Sequence, residues 1–168
     1  MHYLTEPLNG THHREGFSCG KDSLDNYIKT QAGQDVKRKL SVCFVLVSKE
    51  DGLKKVIGYY TLSNGGIPKE MVLEAYKNKF PKNYYSVPVT LLGRLARDKY
   101  FKGDRVGESL LFGALYRSYL VSKEVASFAA IVDPIDDEAI SFYEKYGFQR
   151  LPDSGRMFLP MKAIEQLF

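Results

Sequence analysis

The hydrophobic and polar positions change period along the chain and mark its elements. SVCFVLVSK (41–49) and VIGYYTLSN (56–64) are rich in β-branched and aromatic residues. Glu50-Asp51-Gly52 separates them, so they predict an antiparallel hairpin. Val89 to Leu95 predicts a central strand. Leu110, Leu111, Ala114, Leu115 and Tyr119 recur at helical spacing and predict a long helix after it. Ser127–Val132 predicts another strand, stopped by Asp133-Pro134. Asp136–Phe148 predicts a short helix, capped by Asp136 and ended by Gly147. Leu24, Tyr27, Ile28 and Gln31 predict an early helix capped by Asp22 or Ser23. YLTEPL (3–8), ending in the Asn9-Gly10 turn, and RMFLPM (156–161) predict the outer strands, and a short helix is expected between Pro68 and Pro81. Strands and helices alternate in the middle, with hairpins at both ends. The expected fold is α/β: a mixed sheet with helices on its faces.

Composition narrows the class. At 168 residues the chain reads as one domain, 1–168, and 44% hydrophobic residues can fill its core. It has no apolar run long enough for a membrane span and no signal-peptide pattern at its start. Cys19 and Cys43 are too few for a disulfide framework or a zinc site, which fits a reducing, cytoplasmic setting. The net charge of +4 permits a polyanionic partner without requiring one.

The most suggestive stretch follows the central strand. Lys102, Gly103, Asp104, Arg105, Val106, Gly107 and Glu108 lead into the long helix. The first N–H groups of a helix lack internal partners and carry the positive end of its dipole, so a glycine-bearing turn there suits phosphates. Many such turns bind nothing. His12 and His13 have no third ligand spaced to join them and read as a solvated loop. Cys19 lacks a nearby histidine and reads as a small buried side chain.

These pieces together resemble a known family. The turn 102–107, followed by EAISFYEKYGF, resembles the GNAT superfamily of acyl-CoA-dependent N-acetyltransferases. In that family's pyrophosphate signature, Gln/Arg-x-x-Gly-x-Gly/Ala, Lys102 replaces the first residue and Arg105 the first glycine, while Gly107 matches. A closer resemblance covers GFSCGKDSLDNYIK (16–29), VIGYYTLS (56–63), PVTLLGRLARD (88–98), DDEAISFYEKYGF (136–148) and MFLPMK (157–162). Those segments are similar to the GNAT-type toxins of bacterial type II toxin–antitoxin systems.

The resemblance implies a mostly antiparallel sheet that splays at the end of its central strand, with the acyl thioester in the opening. It implies acetyl-CoA as co-substrate, aminoacyl-tRNA as substrate, a ribbon–helix–helix antitoxin as partner, and a homodimer. It assigns the thioester carbonyl to backbone N–H groups around Leu95, Ala96 and Arg97. It assigns the pyrophosphate to residues 102–108 and general acid catalysis to Tyr143. No metal is expected. Arg105 stands where the signature has glycine, so a negative φ is expected there.

The residues themselves bear on the substrate. Tyr143 has a phenol pKa of about 10, near enough to a thiol at about 8.5 to pass a proton. All three histidines lie within the first 13 residues, so no general base is apparent. A lysine amine, at about 10.4, is almost wholly protonated near neutrality, whereas an α-amine at about 7.7–8.0 is neutral a good part of the time. An enzyme without a strong base suits an α-amine. From Lys77 to Arg105 the chain holds eight basic residues (Lys77, Lys79, Lys82, Arg94, Arg97, Lys99, Lys102, Arg105) and two acids. Lys77, Lys79, Lys82 and Arg94 are therefore candidates for tRNA contact, Arg94 equally for a structural salt bridge. Lys37 and Arg38 read either as a solvated helix end or as phosphate contacts.

The leading expectation is a toxin that acetylates the α-amino group of aminoacyl-tRNA and blocks translation. The alternatives are a protein N-terminal or small-amine acetyltransferase, and a non-catalytic acyl-CoA-binding module.

Overall fold

A computed structural model describes residues 5–168. His2 and the first two residues of the expected strand 3–8 lie outside it. The chain forms two compact units. One comprises the described residues up to Ser63 with Gly93–Ala114; the other comprises Asn64–Leu92 with Leu115–Phe168.

The first unit contains β1 (Thr5–Pro7), β2 (His12–His13), α1 (Asp22–Asn26), α2 (Ala32–Lys37) and β3 (Val42–Glu50). It also takes most of β4 (Leu53–Pro68), the end of β5 (Ser86–Arg97) and the start of α4 (Val106–Ser122). Its strands run in the order β1-β3-β4-β5, with β2 parallel to β4. The β3–β4 hairpin forms as expected. Its turn residues Asp51 and Gly52 both have positive φ, which suits the twist of an antiparallel pair.

A core of Phe17, Tyr27, Ile28, Cys43, Val45, Val56, Tyr59 and Ala96 fills this unit. Tyr59 is fully buried and its hydroxyl donates to the Leu24 carbonyl at 2.7 Å, so its polar end is not orphaned. Gly58 lets α4 approach: a Cβ there would lie 2.7 Å from Leu110 Cδ1 and 3.3 Å from both Val106 Cγ1 and the Ala96 carbonyl oxygen. The helix start is thereby seated on β4 and β5.

Two local expectations change here. The early helix has Lys21, not Asp22 or Ser23, at its N-cap, with no side-chain cap bond. It is also interrupted by a π-helical turn, Tyr27–Gln31. The extra residue shifts the inward face, so Gln31 is exposed while Ala32 and Asp35 are buried. Nor is His12 solvated. It is buried, its Nδ1 accepts from the Asn9 N–H at 3.0 Å, and its Nε2 meets the Glu6 carboxylate at 2.6 Å. An Nδ1 that accepts leaves the proton on Nε2, which donates to Glu6.

The second unit holds the end of β4, α3 (Glu74–Lys77), the start of β5, the end of α4, β6 (Ala129–Val132), α5 (Asp137–Lys145), β7 (Gln149–Arg150), β8 (Met157–Pro160) and α6 (Met161–Glu165). Its strand order is β4-β5-β6-β8-β7. β5 and β6 are parallel; β8 is antiparallel to β6 and β7. Ile67, Val72, Val87, Val89, Ala129, Ile131, Leu151 and Phe158 form its core. Along its whole length the long helix buries Leu110, Leu111, Ala114 and Leu115 as their spacing predicts; Tyr119, expected on the same stripe, is only half-buried, and Ser118 is buried instead.

Candidate active site

The phosphate-binding candidate lies in the first unit. Asp98 ends β5, and its N–H donates to the Ile57 carbonyl at 2.8 Å. Its buried carboxylate accepts from the N–H of Tyr100 at 3.0 Å and of Ser18 at 3.2 Å. The Tyr100 bond caps a 3₁₀ turn, Lys99–Phe101, which delivers the chain into the candidate loop.

In that loop Lys102, Gly103, Asp104 and Arg105 are all exposed. Gly103 has φ +95° and Arg105 has φ +56°. The expectation of a negative φ at Arg105 is therefore wrong. Arg105 adopts the left-handed conformation at the end of the turn, and its carbonyl accepts from the Ser109 N–H at 3.0 Å and opens α4. A non-glycine residue pays about 1–2 kcal/mol for that conformation. Its backbone thus does what glycine would do, while a guanidinium stays available on the surface. Val106 is buried, so it can offer a ligand only its N–H; Gly107 and Glu108 complete the first turn. This set fits a pyrophosphate: exposed cations on Lys102 and Arg105, and helix-start N–H groups behind them.

The carbonyl-binding candidates precede the loop. Ala96 is buried; Leu95 and Arg97 are half-buried. β5 pairs with β6 only over Val89–Leu92, so among the described residues that ladder does not reach Leu95–Arg97.

Tyr143 lies in the second unit, on α5. Asp136 caps this helix through its carboxylate and the Ala139 N–H at 2.9 Å. At the other end Gly147 has φ +91°. The Gly147 N–H donates to the Glu144 carbonyl and the Phe148 N–H to the Tyr143 carbonyl, which is the double bond of a Schellman cap. Phe148 then packs on the Tyr143 ring at 5.2 Å, and Phe142 meets it edge-on at 5.3 Å. The sequence YEKYGF thus encodes one object, a helix end that pins the tyrosine from both ring and backbone. Tyr143 is buried, and among the described residues no hydrogen bond holds its hydroxyl. Burial raises its pKa and keeps the phenol protonated.

The other candidates divide between the units. Lys37 and Arg38 are exposed at the end of α2. Arg94 is half-buried, with its guanidinium 3.6 Å from the centre of the Tyr27 ring. Of the two readings of Arg94, a structural salt bridge gives way among the described residues to this cation–π contact, and the tRNA contact stays open. The Tyr27 hydroxyl donates to Asp35 at 2.8 Å, so Arg94 is tied through Tyr27 to the helix that carries Lys37 and Arg38. Lys77, Lys79 and Lys82 belong to the second unit. Burial and the neighbouring Asp25 push the Cys19 thiol up to about 11, which suits a packing role and not a nucleophile. Among the described residues no cluster of His, Cys, Asp or Glu could hold a metal, and no helix is long and apolar enough to cross a membrane.

From sequence, Asp98 and Gly58 have no assigned role, and Tyr27 reads as a helix-face residue and not as the partner of Arg94. A glycine inside a strand pattern signals close backbone approach, so Gly58 was open to inference.

No family model matches the chain. A tRNA-acetylating toxin of Mycobacterium tuberculosis (strain ATCC 25618 / H37Rv) is 33% identical over 152 residues, covering 90% of this chain and 87% of the relative. The chain belongs to the tRNA-acetylating toxins of the GNAT type. Solved structures agree. A Tyr-to-Phe mutant of KacT superposes with a TM-score of 0.91 at 30% identity, covering 98% of both chains. AtaT complexed with acetyl-methionyl-tRNAfMet gives 0.89 at 26% identity, again covering 98% of both. Other AtaT structures, at 26% and 25% identity, carry acetyl-CoA and the C-terminus of the antitoxin AtaR. The mixed, mostly antiparallel sheet described above is the fold these toxins share.

Proposed function

We propose that this chain transfers the acetyl group of acetyl-CoA to the α-amino group of aminoacyl-tRNA and so blocks translation. The observation that carries the reading is Tyr143: a buried, protonated phenol, fixed by the α5 cap, in a chain that belongs to the tRNA-acetylating toxins.

The neutral amine attacks the thioester carbonyl, whose oxygen is held by N–H groups of Leu95–Arg97. The resulting intermediate collapses by breaking the C–S bond, and Tyr143 gives its proton to the departing thiolate. Desolvation keeps the phenol protonated until a thiolate forms. The amine proton passes to water, and the Tyr143 phenolate regains its proton from water before the next turnover. His12 has both ring nitrogens engaged and is no base. Residues 102–108 hold the pyrophosphate. Lys37, Arg38, Lys77, Lys79, Lys82 and Arg94 contact tRNA.

The expected partners are a ribbon–helix–helix antitoxin and a second copy of the chain, in the cytoplasm. Incubation with labelled acetyl-CoA and total charged tRNA tests the activity. Label in the N-acetyl-aminoacyl fraction supports it. Label only on peptides or polyamines would select the alternative acetyltransferase.

A further inference from the structure

The second unit contains a cavity of about 300 Å³ that plays no part in the chemistry above. Its walls include Phe80, Pro81, Tyr84, Pro88, Ser127 and Phe128. This volume is at the small end of ligand sites, about 300–1,000 Å³. Phe80 and Phe128 meet edge to face at 5.0 Å, and the Phe128 N–H donates to the Pro88 carbonyl at 2.8 Å, so one wall is rigid. Tyr84 is 52% exposed, which leaves part of its surface open to a ligand. Ser127 adds one hydroxyl, bonded to Thr90 at 2.9 Å.

Charge surrounds this apolar slot. Lys79 precedes Phe80, and Lys82 stands between Pro81 and Tyr84; both are exposed. Among the described residues neither pairs with a carboxylate. Lys79 lies 5.5 Å from the centre of the Tyr76 ring. Aromatic walls alone suit any flat apolar group. Aromatic walls flanked by lysines that no carboxylate neutralises suit a flat group attached to phosphates, which is an unstacked nucleotide.

We infer that this cavity receives an unpaired base of the tRNA's single-stranded 3′ end, with Lys79 and Lys82 on the adjoining phosphates. The inference rests on the tRNA reading above. A paired base would have to give up both its pairing and its stacking to enter, whereas an unpaired one gives up stacking alone.

The test uses uncharged tRNAs carrying 2-aminopurine at each unpaired position of the 3′ end in turn, so it does not depend on acetylation, and absence of quenching at every position in wild type overturns the inference. Stacking on Tyr84 quenches the probe. Tyr84→Leu keeps apolar bulk and removes the stack; Tyr84→Phe keeps the stack. The expected result is quenching by wild type and Tyr84→Phe, its loss in Tyr84→Leu, and about tenfold weaker tRNA binding in that variant. Acetyl-CoA affinity should be equal in all three. Quenching or tRNA affinity unchanged in Tyr84→Leu overturns the inference. So does a change of oligomeric state in that variant at unchanged tRNA affinity, which would make the cavity an interface between copies. Failure of wild type to acetylate charged tRNA, with tRNA binding intact, would instead remove the proposed activity.

Discussion

The Asp98 carboxylate accepts a hydrogen bond from the backbone N–H of Ser18, 80 residues earlier in the chain. The Lys99 N–H returns a bond to the Ser18 carbonyl at 2.9 Å. The strand end that leads into the proposed pyrophosphate loop is thereby clamped to the Phe17–Gly20 segment. Asp98→Ala leaves two backbone donors without their acceptor, each costing about 1–3 kcal/mol if buried. Stability in urea should fall by that order, and acetyl-CoA affinity with it. Ser18→Ala should change neither, because Ser18 takes part through its backbone. Calorimetry and urea titration of both variants check this; an Asp98→Ala protein with wild-type affinity would dissociate the clamp from the loop.

Arg105 combines a strained backbone with a useful side chain, and two variants separate them. Arg105→Gly relieves the positive φ and should stabilise the fold by about 1 kcal/mol. Arg105→Ala keeps the strain. Both remove the guanidinium and should weaken acetyl-CoA binding alike, if it meets a phosphate. Melting temperature and calorimetric Kd supply the two readouts.

Much of this architecture was legible because pattern and turn chemistry agreed. The Asp51-Gly52 hairpin, the α4 stripe as far as Leu115 and the Asp136 cap with its Gly147 stop all stand where local rules place them. The failures have a common cause. The π turn at Tyr27–Gln31, the burial of His12 and the positive φ of Arg105 are set by what packs or bonds around them, not by their neighbours in sequence. Arg94 shows the same: its strand position was legible, but its aromatic partner lies 67 positions earlier, beyond any local window. The catalytic assignment of Tyr143 came from resemblance; its geometry adds the cap that holds it and the burial that keeps it protonated.

Gly58 offers a packing test. A methyl group there meets Leu110, Val106 and the Ala96 carbonyl at or inside contact distance. Gly58→Ala should cost about 1–3 kcal/mol as α4 is pushed off the strands. Because α4 carries the first-turn N–H groups, acetyl-CoA binding should weaken as well. Urea titration with and without acetyl-CoA measures both effects.

Tyr143→Phe keeps the ring and removes the proton. Turnover should fall by about 10²–10⁴, with acetyl-CoA affinity nearly unchanged. The pH profile carries the second readout. Burial lifts the phenol above its ordinary value near 10, so its acid form persists through the whole working range. Activity should therefore rise as the α-amine loses its proton, near pH 7.7–8.0 or below, and then stay flat to about pH 10. A descending limb between pH 8 and 9 that vanishes in Tyr143→Phe would contradict a raised phenol.

Positive charge is unevenly divided between the two units. The first unit's portion of the sequence has fourteen Lys and Arg against ten Asp and Glu; the second unit has ten of each. The net charge of +4 therefore belongs to the first, where Lys37, Arg38 and Arg94 lie. The second contributes a local run, Lys77, Lys79 and Lys82, with no acid between them. Each lysine or arginine that neutralises a phosphate releases counterions and adds about 0.7–0.9 to the slope of log affinity against log salt. Lys37→Ala with Arg38→Ala should flatten that slope by nearly two, and Arg94→Ala by about one. The triple Lys77→Ala, Lys79→Ala, Lys82→Ala change should flatten it by up to about three. Acetyl-CoA affinity should hold in all of them, since none belongs to the proposed pyrophosphate loop. Arg94→Ala has a further signature: it strips the cation from the Tyr27 ring, so its melting temperature should also fall. A lower melting temperature with an unchanged salt slope would leave Arg94 as a support of Tyr27 and move the tRNA contact to the end of α2.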